Sequence, residues 1–294
     1  LSYQSDLDLI LVYEGDGRTG PPPGASRFDR FDLTDNFHYF TELGQRIIKV
    51  AGVLGPMGRL YHIDMRLRPT GKSGSLVIPL SEFRHYYEGG GAQLWERQAL
   101  TRARVVYGDA GFGEEVIVAV RRAAYGVPWR PEFADEIRGM RDRLEASRSE
   151  RDLKRGFGGI VDIEFLVQLF QLKYADRFAA LQTTNTWEAL DALQDAQLIS
   201  RQEHDSLRSS YDFLRLVESR LRIVHNRSLD ELPETAEDLE KLARRLGCEP
   251  APGLTAGERL LAELDRHMTQ TRELFLDVVA RERRAQPQSI ARSS

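Results

Sequence analysis

The sequence predicts an α+β fold in which a small mixed domain precedes an all-helical domain. Strand-like segments, with apolar and polar side chains in alternation, lie before about residue 108. From about residue 112 the apolar residues recur at helical spacing instead, and no strand pattern is convincing. We therefore expect a first domain at residues 1–108, a helical bundle at 109–284 and a disordered tail at 285–294.

The first domain is predicted to contain a strand, a helix and two further strands. Its opening apolar run is typical of a buried strand, and a Gly/Pro-rich loop at 14–26 follows. The helix begins after Thr34 or Asp35, either of which suits an N-cap. The second strand has one apolar and one charged face and is ended by Pro69. The predicted elements lie at 6–13 (strand), 33–52 (helix), 59–69 (strand), 69–75 (turn) and 76–79 (strand).

The second domain is predicted to be a bundle of helices around one buried helix. The segment GGIVDIEFLVQLFQLKY at 158–174 is apolar on almost every face, as expected of a central helix. The helical candidates lie at 112–124, 131–150, 159–175, 186–197, 203–226, 235–247 and 256–284.

Composition and charge narrow the class of protein. The chain has 294 residues, of which 41% are hydrophobic and 29% charged, as in globular proteins with a substantial core. The net charge of −4 argues against a protein that coats nucleic acid. A single cysteine, Cys248, does not allow an internal disulfide, which is typical of a reducing compartment such as the cytoplasm. We find no apolar stretch of membrane-spanning length and no signal peptide.

Three aspartates are the candidate metal ligands and catalytic residues. Asp6 and Asp8 are two residues apart on the first predicted strand, so their side chains share one face. Asp64 lies on the charged face of the second strand and would join them if the two strands are neighbours. Carboxylates this close resist joint ionisation unless a cation lies between them. Oxygen ligands without histidine or cysteine suit Mg²⁺, which positions phosphate groups for transfer.

Basic residues after Asp64 are the candidate phosphate ligands. Arg66 and Arg68 are predicted to share its face, and a guanidinium can bind two phosphate oxygens at once. Lys72 lies in the glycine-flanked turn TGKSG, where its charge and the backbone N–H groups could both contact an anion.

Less specific interpretations of these residues remain open. Most D-x-D pairs are solvated surface carboxylates, and Asp64 could simply form a salt bridge with Arg66 or Arg68. A calcium-binding loop is excluded, because Ile10 and Val12 occupy positions where such a loop needs oxygen ligands.

Four segments together resemble the glutamine synthetase adenylyltransferase family. They are YQSDLDLILVY, HIDMRLRPTGKSGSL, WERQALTRARVVYGD and GGIVDIEFLVQ, in this order and spacing, and the resemblance covers about residues 1–230. It implies a polymerase-β-like nucleotidyltransferase domain followed by a helical domain. Family members typically carry two such units, of which one attaches AMP from ATP to a tyrosine of glutamine synthetase and the other removes it by phosphorolysis. This chain contains one unit.

The resemblance also implies roles for individual residues. Asp6, Asp8 and Asp64 match the family's metal-binding carboxylates, with Mg²⁺ as cofactor and ATP as substrate. The expected nucleotide-binding residues are Ser5, Arg66, Arg68 and Lys72.

Two further motifs match the family without a clear mechanism. Their matching positions are Glu96, Arg97, Arg102 and Arg104 in the first motif, and Gly158, Gly159, Asp162 and Glu164 in the second. A glycine pair at the start of a helix either allows close packing or presents N–H groups to an anion. The simpler interpretation of the acidic residues is that they complement the helix dipole.

We expect the adenylylating unit for two reasons. This unit usually comes last in the family, and the segment ARVVYGD is more typical of it. The expected partners are glutamine synthetase and a PII-type signalling protein, with no membrane and no nucleic acid. The first alternative is the phosphorolytic unit, and the second is a non-catalytic module that senses nucleotides or signalling proteins. Polymerisation on nucleic acid is disfavoured by the mildly acidic charge.

The start of the chain departs from the family pattern. The family's glycine-rich, nucleotide-binding turn lies shortly before the SDLDL strand, and this chain begins after it. We therefore expect an N-terminally incomplete catalytic domain and weak triphosphate binding by this chain alone.

Overall fold

The structure, a computed structural model, describes residues 6–21, 24, 26, 33–55, 58–59, 61–146, 148–149, 151–225 and 230–284. The predicted disordered tail at 285–294 lies outside these ranges. The chain divides into two units, which are Leu1–Ala99 with Arg104–Ala123, and Leu100–Ala103 with Ala124–Ser294. The boundary predicted at residue 108 falls inside the first unit.

The first unit combines short strands with helices, and the second is helical. This composition agrees with the α+β class predicted from the sequence, while the likeness to polymerase β stays a prediction. The elements of the first unit are β1 (Leu7–Asp8), β2 (Leu11–Tyr13), α1 (Asn36–Gly52), β3 (Leu54–Gly55), β4 (Gly58–Arg59), β5 (Ile63–Asp64), β6 (Val77–Pro79), α2 (Leu80–Glu88), α3 (Leu94–Leu100) and α4 (Ala110–Tyr125).

The strands pair as three separate couples among the described residues. β1 pairs with β5 and β2 with β6, both in parallel, whereas β3 and β4 form an antiparallel hairpin. The single buried strand predicted at 6–13 is therefore wrong in two respects. The chain changes partner between β1 and β2, so Leu9 and Ile10 belong to neither strand, and of the residues in these two strands only Tyr13 is buried.

The strand predicted at 59–69 is also shorter than expected, for a local reason. β5 ends at Asp64, whose Oδ1 accepts the backbone N–H of Arg66 at 2.9 Å. An aspartate that bonds the backbone two residues further on imitates a turn and competes with the strand ladder. The chain consequently turns before Pro69, and the alternation of faces predicted beyond Asp64 is lost.

Helix α1 begins where the sequence predicts. Asp35 is its N-cap, since its Oδ1 accepts the backbone N–H of His38 at 2.9 Å. The helix packs against the β2–β6 pair through Gly44, where an added Cβ would lie 2.7 Å from Leu11 Cδ1. The apolar side chains of this helix are only partly buried, since Phe37 and Ile47 remain about 40% exposed.

All seven helical segments predicted for the second domain correspond to helices. They are α4 and, in the second unit, α5 (Glu132–Glu145), α6 (Ile160–Tyr174), α7 (Thr186–Asp195), α8 (Arg201–His225), α9 (Ala236–Arg245) and α10 (Ala256–Arg284). The long helix α10 contacts α5, α6, α8 and α9. Helix α6 is buried along most of its length, which confirms the predicted central helix.

The glycine pair that precedes α6 serves close packing. Gly158 has φ +63°, and a Cβ there would overlap the backbone carbonyl oxygen of Met268 in α10. A Cβ on Gly159 would lie 2.6 Å from the carbonyl oxygen of Leu153. The first N–H groups of the helix are occupied as well, because Ile160 and Val161 donate to carbonyls of the preceding loop at 3.0 and 2.9 Å. Of the two alternatives drawn from the sequence, the packing interpretation therefore holds.

Asp162 anchors the first turn of α6 through buried ion pairs. Its carboxylate contacts Arg141 Nε and lies 3.3 Å from Arg272 Nε, and all three side chains are at least nine-tenths buried. Arg141 also donates to the carbonyl of Gly156, in the loop before the helix. Burial raises the pKa of Asp162 to about 6, against the opposing charges of the two arginines. This aspartate is thus a structural group rather than a solvated partner of the helix dipole.

We expect Arg141→Met to destabilise the second unit by about 3 kcal/mol, because Asp162 and the Gly156 carbonyl lose a buried donor. Without Arg141 the pKa of Asp162 rises further above its value in the unfolded chain. The folded variant therefore binds a proton more readily at low pH, and the loss of stability is smaller at pH 5 than at pH 8. Urea unfolding at both pH values measures this difference.

The matched control is Arg138→Met, whose exposed partner Asp142 lies 3.9 Å away on the same helix. It should change stability by less than about 0.5 kcal/mol. Equal effects of the two variants would contradict the structural role of the buried pair.

We expect Gly158→Ala to destabilise the protein by more than about 3 kcal/mol, because the left-handed backbone and the contact with Met268 both oppose a side chain. The control is Gly253→Ala, where φ is +81° and nothing lies within 4 Å of an added Cβ. That change carries only the backbone term of about 1–2 kcal/mol. Thermal or urea unfolding compares the two, and an equal loss would show that close packing at Gly158 is unimportant.

Candidate active site

Asp8 and Asp64 lie on two strands that are direct neighbours, and Asp6 lies just before the first of them. β1 and β5 run parallel, and Asp8 is in register with Asp64. Register partners on adjacent parallel strands are about 4.8 Å apart and point to the same face. Asp6, two residues before Asp8, lies beside His62, whose Nδ1 is 3.3 Å from Asp6 Oδ1. The two strands are therefore adjacent, as the prediction from the sequence required.

Asp64 is the buried member of the set and is held by Arg66. Asp64 is 8% exposed, whereas the side chain of Arg66 is 66% exposed. Arg66 Nε donates to Asp64 Oδ2 at 2.6 Å, and its backbone N–H donates to Oδ1 at 2.9 Å. The hydrogen bond from the Arg66 side chain is the main reason that the pKa of Asp64 lies below its usual value. Asp64 is thus ionised at neutral pH.

All three acids act on the same guanidinium. The hydrogen bond and charge of Asp64 raise the pKa of Arg66, and the charges of Asp8 and Asp6 act in the same direction. In this structure Arg66 supplies the positive charge that two adjacent carboxylates require. The interpretation of Asp64 as a salt-bridge partner of Arg66, left open by the sequence, is therefore correct for this state of the protein.

The chemistry of the donors fits a hard divalent cation, although they are not assembled around one. Asp8 and Asp64 offer carboxylate oxygens on one face, which is the ligand type that Mg²⁺ prefers. Among the described residues, no three His, Cys, Asp or Glu side chains are grouped closely enough to hold a metal ion. The guanidinium of Arg66 lies on Asp64 instead, so a metal there requires Arg66 to move, and the magnesium site stays a prediction.

Two of the remaining predicted nucleotide ligands, Arg68 and Lys72, lie on the segment after β5. Arg68 donates to backbone carbonyls of Met65, Lys72 and Gly74, at 2.6, 3.4 and 3.3 Å. Arg68 therefore stabilises the backbone of the turn that follows β5, a role that the spacing of charged residues did not indicate. Lys72 is exposed in the 3₁₀ turn Gly71–Ser73. Ser5, the fourth predicted ligand, lies outside the described residues.

Glu96 and Arg97, from the W-E-R motif, are buried and form hydrogen bonds with other residues of the first unit. Glu96 accepts hydrogen bonds from the Tyr86 hydroxyl at 2.9 Å and from the backbone N–H of Gln93 at 2.7 Å. Arg97 donates to the carbonyls of Tyr87 and Ala123, each at 2.6 Å. These charges therefore connect helices rather than contacting a ligand.

Two other motif residues meet in the second unit. Arg102 Nη1 donates to Thr186 Oγ1 at 2.9 Å and lies 3.6 Å from Glu164 Oε1. Glu164 also accepts the hydroxyl of Tyr211 at 3.1 Å. Arg104, the fourth charged position of the first motif, is exposed. The sequence indicated that these residues belong to motifs, but their pairing depends on the folded backbone.

The helices also bear on the question of a membrane. Within the described ranges, none combines the length and the apolar composition that crossing a bilayer requires.

Comparison with known proteins identifies two family models. The model described as glutamate-ammonia ligase adenylyltransferase matches residues 1–117. The model described as GlnD PII-uridylyltransferase matches residues 132–279. The two matches follow one another along the chain, as do the two domains predicted from the sequence.

Curated relatives match nearly the whole chain. Bifunctional glutamine synthetase adenylyltransferase/adenylyl-removing enzymes of Hahella chejuensis and Thioalkalivibrio sulfidiphilus are 33% and 34% identical over 97% and 95% of it. The corresponding enzyme of Streptomyces avermitilis is 34% identical over 93%. The chain spans about a quarter of these relatives, namely 28%, 28% and 26% of their lengths.

These matches confirm the resemblance seen in the four sequence motifs. The acidic pair on β1 and the carboxylate of β5 lie within the segment that the first family model matches. The chain belongs to the glutamate-ammonia ligase adenylyltransferase family.

Proposed function

We propose that this chain is a nucleotidyltransferase unit that transfers AMP from ATP to a tyrosine of glutamine synthetase. The observation that carries the proposal is the register of Asp8 with Asp64 on adjacent parallel strands. It places two carboxylates on one face, where the charges of all three aspartates already converge on one cation, Arg66. Membership of the family supports the choice of AMP transfer over other reactions at phosphorus.

Asp8 and Asp64, with Asp6, are the residues that would hold Mg²⁺. Bound there, the ion would neutralise phosphate charge and favour ionisation of the attacking hydroxyl. Asp64 suits this role because it is already ionised, and Arg66 can leave it because that side chain is largely exposed to water. Once released, the guanidinium is available for phosphate oxygens, to which its fork geometry is matched.

The transfer itself is a displacement at the α-phosphorus of ATP. The tyrosine oxygen forms a bond to that phosphorus, the bond to the β-phosphate bridging oxygen breaks, and pyrophosphate leaves. The hydroxyl proton passes to water or to a carboxylate of the site. Arg66 and Lys72 supply positive charge toward the phosphates as negative charge develops on them.

The adenylylating direction is our first choice, and the phosphorolytic direction is the alternative. The name of the bifunctional relatives includes both the adenylyltransferase and the adenylyl-removing activity. The same three aspartates would serve either reaction. The two reactions differ in the nucleophile, which is a tyrosine hydroxyl in one and inorganic phosphate in the other.

We place partner sensing in the second unit. The match of residues 132–279 to the GlnD PII-uridylyltransferase model supports contact with a PII-type signalling protein, and glutamine synthetase is the proposed substrate protein. A purely regulatory module would bind such partners without metal-dependent turnover.

We expect Asp8→Asn to lower AMP transfer by at least about 100-fold, because an amide replaces a charged ligand for the cation. The measurement is transfer of radiolabelled AMP to glutamine synthetase, using the longest natural polypeptide that contains this chain. The matched control is Asp16→Asn, an exposed aspartate of the following loop, which should keep full activity. Full activity of a folded Asp8→Asn protein would refute the assignment.

The direction of the reaction is tested with the two purified forms of glutamine synthetase. With unmodified enzyme and ATP we expect pyrophosphate and AMP-tyrosine. With the adenylylated enzyme and inorganic phosphate we expect Asp8→Asn to leave ADP formation unchanged, because the family's phosphorolytic unit is a separate one. The reverse pattern would replace the adenylylating proposal with the phosphorolytic one, and binding of nucleotide without either product would indicate the regulatory module.

A further inference from the structure

The irregular segment before helix α4 exposes apolar side chains to water. We call residues 104–109 of the first unit the VVY loop. Its residues Val105, Val106 and Tyr107 are all exposed, and Tyr107 is the most exposed of them at 97%. Apolar residues scattered singly over a surface need no explanation, whereas a contiguous group of them is typical of a surface that contacts another protein.

Both ends of the VVY loop are fixed to helix α4. At the start of the loop Val105 lies against the first turn of the helix, where a Cβ added to Gly113 would be 3.4 Å from Val105 Cγ1. At its end Asp109 Oδ1 accepts the backbone N–H of Phe112 at 3.0 Å, as a residue that caps a helix does. The loop therefore presents Tyr107 to water between two anchored positions.

Tyr107 differs in its surroundings from the other tyrosines that the structure describes. The hydroxyls of Tyr86 and Tyr174 donate to glutamate side chains at 2.9 and 2.8 Å. Tyr39 is the next most exposed, at 46%. With 97% of its surface open, the side chain of Tyr107 contacts very little of its own copy of the protein, so its hydroxyl faces water. The other described tyrosines are buried or half-buried, namely Tyr13, Tyr61, Tyr87, Tyr125 and Tyr211.

A tyrosine hydroxyl is the acceptor group in the proposed reaction. To react, it must enter a catalytic site until its oxygen is about 3–3.5 Å from phosphorus, which a buried tyrosine cannot do. Beside Tyr107, Gly108 has φ +145° and nothing lies within 4 Å of a Cβ added there, so the walls of another site have room around the ring. Because Tyr107 does not lie against the acidic face of its own copy, the site that reaches it belongs to a second copy.

We propose that Tyr107 is itself an acceptor of AMP, so that one copy of this protein adenylylates another. The inference rests on the proposed function and adds a second acceptor to it. Tyr107 Oη forms a bond to the α-phosphorus of ATP in the second copy, while the bond from that phosphorus to the oxygen bridging to the β-phosphate breaks. Pyrophosphate leaves with the bridging oxygen, and the phenolic proton passes to water. The side chains of Val105 and Val106 supply apolar surface that is buried when the two copies meet.

The test incubates the longest natural polypeptide that contains this chain with Mg²⁺ and with ATP labelled at the α-phosphate, in the absence of glutamine synthetase. Trypsin releases residues 105–121, a peptide whose only tyrosine is Tyr107. We expect mass spectrometry to find one adenylyl group on this peptide. Tyr107→Phe should lose this label and keep the natural rate of AMP transfer to glutamine synthetase. The matched control is Tyr39→Phe, which removes the next most exposed tyrosine hydroxyl and should keep both the label and the transfer.

A mixture of two variants tests whether the transfer occurs between copies. Asp8→Asn protein keeps Tyr107 and lacks a carboxylate of the proposed metal site, whereas Tyr107→Phe protein keeps that carboxylate and lacks the acceptor. We expect label on the Asp8→Asn protein only when the two variants are mixed. No label there, while the natural protein labels itself, would show transfer within one copy and overturn the inference.

AMP transfer to glutamine synthetase, measured in parallel, distinguishes failure of the inference from failure of the proposed function. A natural protein that modifies glutamine synthetase but leaves residues 105–121 unlabelled would overturn the inference and leave the proposed function intact. A natural protein that labels neither glutamine synthetase nor itself would overturn the proposed function, and the inference with it.

Discussion

The parallel pairing of β1 with β5 is the constraint on which the candidate site depends. It fixes Asp8 opposite Asp64, and two carboxylates at that spacing need a positive charge between them. Arg66, two residues beyond Asp64 on the same segment, donates to Asp64 and supplies positive charge beside this face. The proposed function requires that another cation take the place of this guanidinium beside Asp64.

Exposure distinguishes this cluster from the buried arginine–aspartate cluster at the start of α6. Arg141 and Asp162 are completely buried, so any exchange of partners would leave a charge without solvent. Arg66 is two-thirds exposed, so water can solvate its guanidinium when it leaves Asp64. The same pair of chemical groups thus fixes a helix in the second unit and forms a contact that is open to water in the first.

The sequence was informative where local patterns decide the structure. Helical periodicity predicted the helices of the second unit and the buried α6, and the N-cap at Asp35 followed from residue type. Strand lengths were overestimated, because the turn formed by the Asp64 side chain competes with the ladder in a way that alternation does not reveal. Tyr86 was missed entirely, since nothing in its spacing indicates a contact with Glu96.

The two arginines after Asp64 illustrate why a shared motif does not imply a shared role. Alternation placed Arg66 and Arg68 on one face and suggested phosphate binding for both. The turn at Asp64 breaks that alternation, so Arg66 reaches a carboxylate while Arg68 reaches three carbonyls. The contact made by Arg66 therefore depends on its positive charge beside Asp64. The contacts made by Arg68 depend on the planar guanidinium, which only arginine provides. The acidic face and the turn beside it are therefore built by neighbouring residues that act on different chemical groups.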